Sequence, residues 1–343
     1  MDKLFWDIQK PLSYNCLWNF IIGMRGGGKT YGSLKWCIEQ YLSYKKKGIE
    51  WQFLYVRRMK TELEKLTIMH GGRLFNAVKK EFPDHELKAE SNILYCDGEV
   101  CGYSQALSTA SVLKSDSFPN VWCIIFDEFI IDNSGTYHYL KDEVTKFLDL
   151  YETVCRHREG VRVFFLSNAV SIVNPYFDYW NLNKPQNGSI QRFSEEILVE
   201  NFVSARLSQK KKESRFGKII AGSEYSDYAY DNDWLLDNMD FIAKKNKNCR
   251  YYLTLTYKER NIGVWIDNDD WIFYISDDVD LQYRLKYAVT TKDHKPNVML
   301  FAAGKKLMWL KNLITAYQNG AIRYENIKLK NWFRDIMRMA YNG

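Results

Sequence analysis

Apolar residues in the first half of the chain gather into short, nearly unbroken runs. Leu17 to Ile22, Trp51 to Val56, Val121 to Phe126 and Val161 to Leu166 each span six residues and stop at glycine or polar positions. Runs that lack a period-two alternation mark parallel strands covered on both faces. Between them the spacing becomes helical. Leu34, Cys37, Ile38, Tyr41 and Leu42 recur along Tyr31 to Tyr44, and Val144, Phe147, Leu148, Tyr151 and Cys155 share one face of 142–155. Strands alternating with helices predict an α/β domain with a mostly parallel sheet. Inside it, Ile93 to Tyr103 reads as an antiparallel hairpin turning at Asp97-Gly98.

The first run leads directly into Gly23-Met24-Arg25-Gly26-Gly27-Gly28-Lys29-Thr30, the pattern G-x-x-x-x-G-K-[ST] with a strand before it and a helix after it. Each residue type has a physical purpose. Gly23, Gly26, Gly27 and Gly28 let backbone N–H groups close around an anion at the positive end of the following helix. Lys29 would neutralise the β- and γ-phosphates of ATP, and Thr30 would offer its hydroxyl to Mg²⁺. A chance match in a glycine-rich loop is the plain alternative, and the flanking strand and helix argue against it. The third run ends in Asp127-Glu128. An Asp at the tip of a buried parallel strand is placed to hold Mg²⁺, and the adjacent Glu to polarise an attacking water. The doublet favours an ATPase over a kinase, which would need an acceptor site; two solvated strand-end acids are the alternative. Ser167 and Asn168, at the tip of the fourth run, are candidates to sense the γ-phosphate, or ordinary turn residues. Arg156 follows the 142–155 helix, and two readings fit it. It either complements the helix dipole or acts as an arginine finger in a neighbouring subunit's ATP site.

Composition narrows the class. The chain has 343 residues, 46% of them hydrophobic, 16% aromatic and 26% charged, which excludes global disorder, collagen-like repeats and a small disulfide scaffold. The length suggests two domains, with room for a third small module. Charge is uneven: residues 1–200 hold 24 Lys/Arg against 25 Asp/Glu, and residues 201–343 hold 24 against 17. From Lys305 onward there are eight bases and two acids, either a solvated face or a surface for a phosphate-rich partner. The seven cysteines include no Cys-x-x-Cys pair, so reduced, mostly buried thiols in a cytosol-like compartment are expected. No stretch reaches the ~18 apolar residues of a membrane span, and the N-terminus lacks the apolar core of a signal peptide. No membrane partner is expected.

Together the motifs resemble the DNA packaging (encapsidation) ATPases of small tailed bacteriophages with protein-primed genomes. The resemblance is carried by Gly23 to Thr30, Tyr55-Val56-Arg57-Arg58, Glu81-Phe82-Pro83-Asp84-His85-Glu86-Leu87, Asn120 to Ile130, Leu166 to Ser171 and Val173-Asn174-Pro175-Tyr176-Phe177. It is dense over residues 1–180 and thins to islands such as Arg215-Phe216-Gly217 and Gly263-Val264-Trp265. The family implies an ASCE-type P-loop ATPase over 1–200, a small linker module over 201–227 and an α+β domain over 228–343. That last domain resembles a vestigial, RNase H-like nuclease that contacts a packaging RNA. It implies a homo-oligomeric ring, pentameric, at the portal (connector) of the procapsid in the cytoplasm of the infected bacterial host, threading double-stranded DNA inward. By position, Lys29 and Thr30 match the phosphate- and Mg²⁺-binding residues, Asp127 the Walker B acid and Glu128 the catalytic glutamate. Arg156 matches the arginine finger acting in trans, Lys114 a second basic residue acting in trans, and Arg25 a phosphate-gripping side chain. Lys60 and Lys114 are candidates to touch DNA in the pore.

Two rivals remain open at this point. A helicase or terminase with an active nuclease would use Asp227, Asp267, Asp269, Asp270, Asp277 or Asp278 as metal ligands, which requires several of them to converge. A nucleotide-gated, RNA-binding scaffold would bind ATP without turnover.

Overall fold

The computed structural model describes residues 4–115, 117–131, 139–168, 174–223 and 241–342. The chain forms two compact units, Met1–Leu235 and Leu236–Gly343. Among the described residues no helix is long and apolar enough to cross a membrane. All seven cysteines are free, six of them buried.

The first unit is organised by a sheet of strands β1 (Trp18–Gly23), β2 (Gln52–Arg57), β3 (Leu87–Glu90), β4 (Ile93–Cys96), β5 (Glu99–Ala106), β6 (Val121–Asp127), β7 (Arg162–Asn168), β8 (Ile190–Arg192) and β9 (Ile197–Phe202). Their spatial order is β3-β4-β5-β2-β6-β7-β1-β9-β8. From β5 to β9 every pairing is parallel. The antiparallel pairs lie at the two margins. The predicted turn at Asp97-Gly98 links β4 and β5, both residues having positive φ, 55° and 78°. That is the twist-compatible geometry of a two-residue hairpin loop.

Apolar runs form these strands because both sheet faces are covered. On one face, Ile21, Phe53, Tyr55, Cys123, Ile125, Phe164 and Leu166 pack with Leu34, Cys37, Ile38 and Tyr41 of the helix Lys29–Lys45. The alternate residues supply an aromatic core on the other face. Phe20 stacks on Phe165 with ring centres 4.2 Å apart, and Phe126 stacks on Phe147 at 5.5 Å. Phe147 belongs to the helix Glu143–Cys155, whose buried set is Glu143, Val144, Phe147, Leu150, Val154 and Cys155. The expected face is therefore rotated slightly. Leu148 and Tyr151 are half-buried, because Tyr151 packs its ring edge against Trp18 and donates to the Val161 carbonyl.

The described part of 201–227, expected as a linker, belongs to the first unit and forms two helices, Ala205–Lys212 and Arg215–Ile219. Ser204 caps the first by accepting from the Leu207 N–H. Leu207 is buried in the core that lines the sheet, which holds the Lys210-Lys211-Lys212 run on a packed helix.

The second unit has a mixed sheet of β10 (Arg250–Tyr257), β11 (Arg260–Asp267), β12 (Ile272–Ser276), β13 (Lys286–Ala288), β14 (Met299–Leu300) and β15 (Ile322–Tyr324), in the order β14-β13-β10-β11-β12-β15. The helix Met308–Gln318 buries Leu310, Leu313 and Ala316. The helix Ile327–Asn342 buries Leu329, Trp332, Phe333, Ile336 and Met337.

Candidate functional site

Parallel strands present their C-terminal ends on one edge, and there β1, β6 and β7 deliver Gly23, Asp127 and Asn168 side by side. Gly23 is in register with Asn168 on one side and Phe202 on the other, and Asp127 with Leu166. The chain leaving β1 turns tightly. Gly26 and Gly28 have φ of 69° and 86°, which side-chain-bearing residues rarely adopt. Gly28 in this conformation opens the helix Lys29–Lys45. A Cβ on Gly23 would lie 2.3 Å from the Phe202 carbonyl oxygen, so β9 can pack there only against glycine.

Lys29, 6% exposed, folds back over this loop. Its Nζ donates to the carbonyls of Gly23 (3.1 Å) and Met24 (2.9 Å) and to Asn168 Oδ1 (3.3 Å). Burial pulls its pKa down to about 7; the Asp127 carboxylate opposes the fall and Lys211 adds to it. A buried ammonium held only by neutral oxygens is a cation short of an anion. Thr30 donates its hydroxyl to both Asp127 oxygens at 3.1 Å, and Tyr55 donates to Asp127 Oδ2 at 2.9 Å. The Tyr55 phenol is pushed well above its usual range, chiefly by burial.

Glu128 follows in a left-handed conformation (φ 59°) that turns its side chain out of the strand line. Its carboxylate is 56% exposed and pairs with Arg57 at 2.7 Å. Beneath it lies a group the sequence did not reveal. Arg58 is 1% exposed and Glu143 fully buried. Arg58 Nε donates to both Glu143 oxygens (3.1 and 2.9 Å), and Nη2 to one of them (3.0 Å). The same guanidinium donates to the carbonyls of Glu128 (3.2 Å) and Phe129 (2.6 Å). Glu143 also accepts from the Tyr176 hydroxyl (2.9 Å) and the Leu140 N–H (2.7 Å). The backbone that carries Glu128 is thus tied to a buried ion pair.

The remaining candidates divide. Asn168 reaches Lys29, whereas Ser167 turns away and donates to the Ile130 carbonyl at 3.2 Å. Arg25 is exposed on the loop. Arg156 is exposed at the end of its helix with φ 40°. Arg158, two residues on, donates to the carbonyls of Val154, Cys155, Val121 and Phe118 at 2.5–3.2 Å and lies 5.0 Å from the Trp122 ring centre. Lys60 is exposed at the start of the helix Lys60–Leu63. The side chain of Lys114 lies outside the described residues, as does Asp227.

In the second unit, β11 and β12 pair from Gly263↔Ser276 to Asp267↔Ile272. Asp267 and Asp277 therefore stand at opposite ends of the pair, roughly 17 Å apart at strand rise. Asp267 is held by Asn246 and by the Asp269 N–H, Asp277 by Asn326, and Asp278 by Lys245. Among the described residues the second unit gathers no metal-binding group of three; the single such group is His85, Cys96 and Asp97 in the first unit.

The model of the family Podovirus DNA encapsidation protein (Gp16) matches residues 1–340. The DNA packaging protein of Bacillus phage phi29 is 38% identical over 341 residues, 98% of each chain. That of Bacillus phage B103 is 38% identical over 317 residues, 92% of this chain and 94% of the other. Among solved structures, the bacteriophage Phi-29 viral genome packaging motor assembly matches at 35% identity and a TM-score of 0.79, with 98% of this chain and 100% of the other covered. The N-terminal domain of the DNA packaging ATPase from bacteriophage phi29 matches at 41% identity and a TM-score of 0.51, with 58% and 96% covered.

Proposed function

Because the chain belongs to the podovirus DNA encapsidation protein (Gp16) family and is a DNA packaging protein of the phi29 type, we propose that it hydrolyses ATP with Mg²⁺ to drive double-stranded DNA into a procapsid. The observation that carries this reading is the convergence of Lys29, Thr30, Asp127 and Asn168 on one sheet edge, around a glycine loop at a helix N-terminus. We read Gly23 to Thr30 as a P-loop of the ASCE class. The donor sets fit the ligands. Thr30 and Asp127 offer only oxygen atoms, as Mg²⁺ prefers, and Lys29 is a desolvated cation that a phosphate would relieve.

Bound Mg²⁺ would neutralise charge on the phosphates. The chain supplies the rest. The loop N–H groups and Lys29 hold and orient the phosphate chain. Asn168 lies against Lys29, where it senses the terminal phosphate. Glu128, once its pair with Arg57 opens, takes a proton from the attacking water. Arg156, exposed at a helix end, is proposed to reach a neighbour's site, with Lys114 as a second residue in trans. That requires a ring, which we propose is pentameric and seated on the portal in the cytoplasm of the infected host. The basic C-terminal stretch supports packaging RNA as the partner of residues 228–343, joined to the ATPase domain (1–200) through 201–227. DNA contacts would be mostly to phosphates, from residues such as Lys60, and weaken with salt. The separation of Asp267 from Asp277 argues against an active two-metal nuclease.

The test is DNA-stimulated ATPase activity of wild type, Glu128→Gln, Arg156→Ala and an equal mixture of the two variants. Each variant alone should be inactive, and the mixture should regain activity where an intact Glu128 faces a neighbour's intact Arg156. Full activity of Arg156→Ala alone would sink the trans assignment. A wild type that binds ATP yet never turns it over, even with DNA, RNA and portal present, would favour the scaffold reading.

A further inference from the structure

The glycine loop has a second cation above it, from a part of the chain that composition marks as a connector. Lys211 sits in the last turn of the helix Ala205–Lys212. Its Nζ donates to the Arg25 carbonyl and lies 3.4 Å from the point where a side chain on Gly26 would begin. The helix that aims it is fixed at both ends. At the start, the Ser204 N–H meets the Met24 sulfur at 3.4 Å, joining the helix to the loop itself. At the finish, the Lys211 carbonyl accepts from the Ser214 N–H (3.1 Å) and hydroxyl (2.6 Å). Gly217 passes so close that a Cβ there would stand 2.1 Å from the same carbonyl. With its backbone pinned, the Lys211 side chain has the loop as its target.

Charge makes the arrangement purposeful. Three cations, Arg25, Lys29 and Lys211, gather about one turn of backbone, and the Asp127 carboxylate acts on Lys29. Lys211 is pushed below its usual pKa by burial and by Arg25, and it in turn lowers Lys29. Cations gathered at a glycine-rich loop repel one another, and an anion with several charges placed between them relieves that repulsion.

Building on the nucleotide reading above, we propose that Lys211 is a second phosphate-contacting cation of this site, exchanging its bond to the Arg25 carbonyl for a phosphate oxygen when ATP binds. The helix Ala205–Lys212 then registers whether a nucleotide is present, since its last turn is tied to the phosphate chain.

ATP with Mg²⁺ is titrated into the full chain as wild type, Lys29→Ala, Lys211→Ala, Lys211→Arg and Lys210→Ala. Lys210 is exposed on the same helix and serves as the control. Losing a charge-assisted hydrogen bond predicts a roughly ten- to hundred-fold weaker Kd for Lys211→Ala. Lys211→Arg should retain most of the affinity, and Lys210→Ala all of it. Wild-type affinity in Lys211→Ala, with Lys29→Ala impaired, overturns this inference and leaves the nucleotide site standing. A loss that Lys211→Arg shares in full also overturns it, because packing and not charge would then be responsible. A wild type that binds no nucleotide overturns the nucleotide reading and this inference with it.

Discussion

Replacing Glu143 with Gln keeps the shape of the buried network beneath Glu128 and removes one charge. Glu143 accepts from Arg58, Tyr176 and the Leu140 N–H with no exposure to water, so solvent cannot take its place. Breaking a buried pair by removing one partner costs about 3–5 kcal/mol, because the remaining charge stays desolvated. In a unit of 235 residues each kcal/mol lowers Tm by roughly 2–4 °C, so the expected fall is roughly 6–20 °C by calorimetry. A double variant, Arg58→Met with Glu143→Leu, removes both charges and should recover most of that loss. It should not recover ATPase activity, since Arg58 also holds the Glu128 and Phe129 carbonyls. A fall of less than about 3 °C for Glu143→Gln would refute the claim that the pair is sealed from water. Restored turnover in the double variant would refute the claim that Arg58 positions Glu128.

Lys29 gives a pH prediction. Its folded pKa near 7 lies below the ordinary 10.5, so between these values the unfolded chain binds the extra proton and stability rises with pH. The cost of the buried charge is fully present below pH 7, and Lys29→Met should raise the Tm of the nucleotide-free protein more at pH 6.5 than at pH 9.5. Equal shifts would contradict the burial. At pH 8, ATP binding should take up protons, measurable by titration calorimetry in two buffers of different ionisation enthalpy. Arg158→Ala should lower stability by about 1–3 kcal/mol for the carbonyls it abandons, while the exposed Arg156→Ala should stay within about 0.5 kcal/mol; urea unfolding of both checks this. Gly23→Ala, which drives a Cβ into the Phe202 carbonyl, should abolish nucleotide binding through displacement of β9.

The strands next to the site were legible because β1, β2, β6 and β7 are covered on both faces, which forces unbroken apolar runs. The loop was legible because its chemistry demands particular residues at fixed spacing. β9 escaped notice because Glu200 and Asn201 interrupt its apolar run. Both are buried, Glu200 accepting from the Trp6 indole at 2.8 Å and Asn201 donating to the Pro185 carbonyl at 3.0 Å. Arg58 and Glu143 are 85 positions apart, and nothing local marks either as half of an ion pair. Ser167 and Asn168 looked equivalent, yet alternation along a strand sends neighbouring side chains to opposite faces, and only Asn168 meets Lys29. Lys211 was hidden in a lysine run that reads as a solvated connector, because sequence cannot show which lysine of three points inward.

The pairing of β1 with β9 has a consequence for synthesis on the ribosome. Gly23 meets Phe202 across that pair, so the floor of the loop is absent from the nascent chain until Phe202 has been translated. At ~5–20 residues per second that interval is roughly ten to forty seconds. During it β1 has an open edge and the loop lacks one wall. Nascent chains halted before Phe202 should therefore be captured by chaperones that recognise unpaired strands, and they should fail to bind ATP although the whole of Gly23 to Thr30 has already emerged.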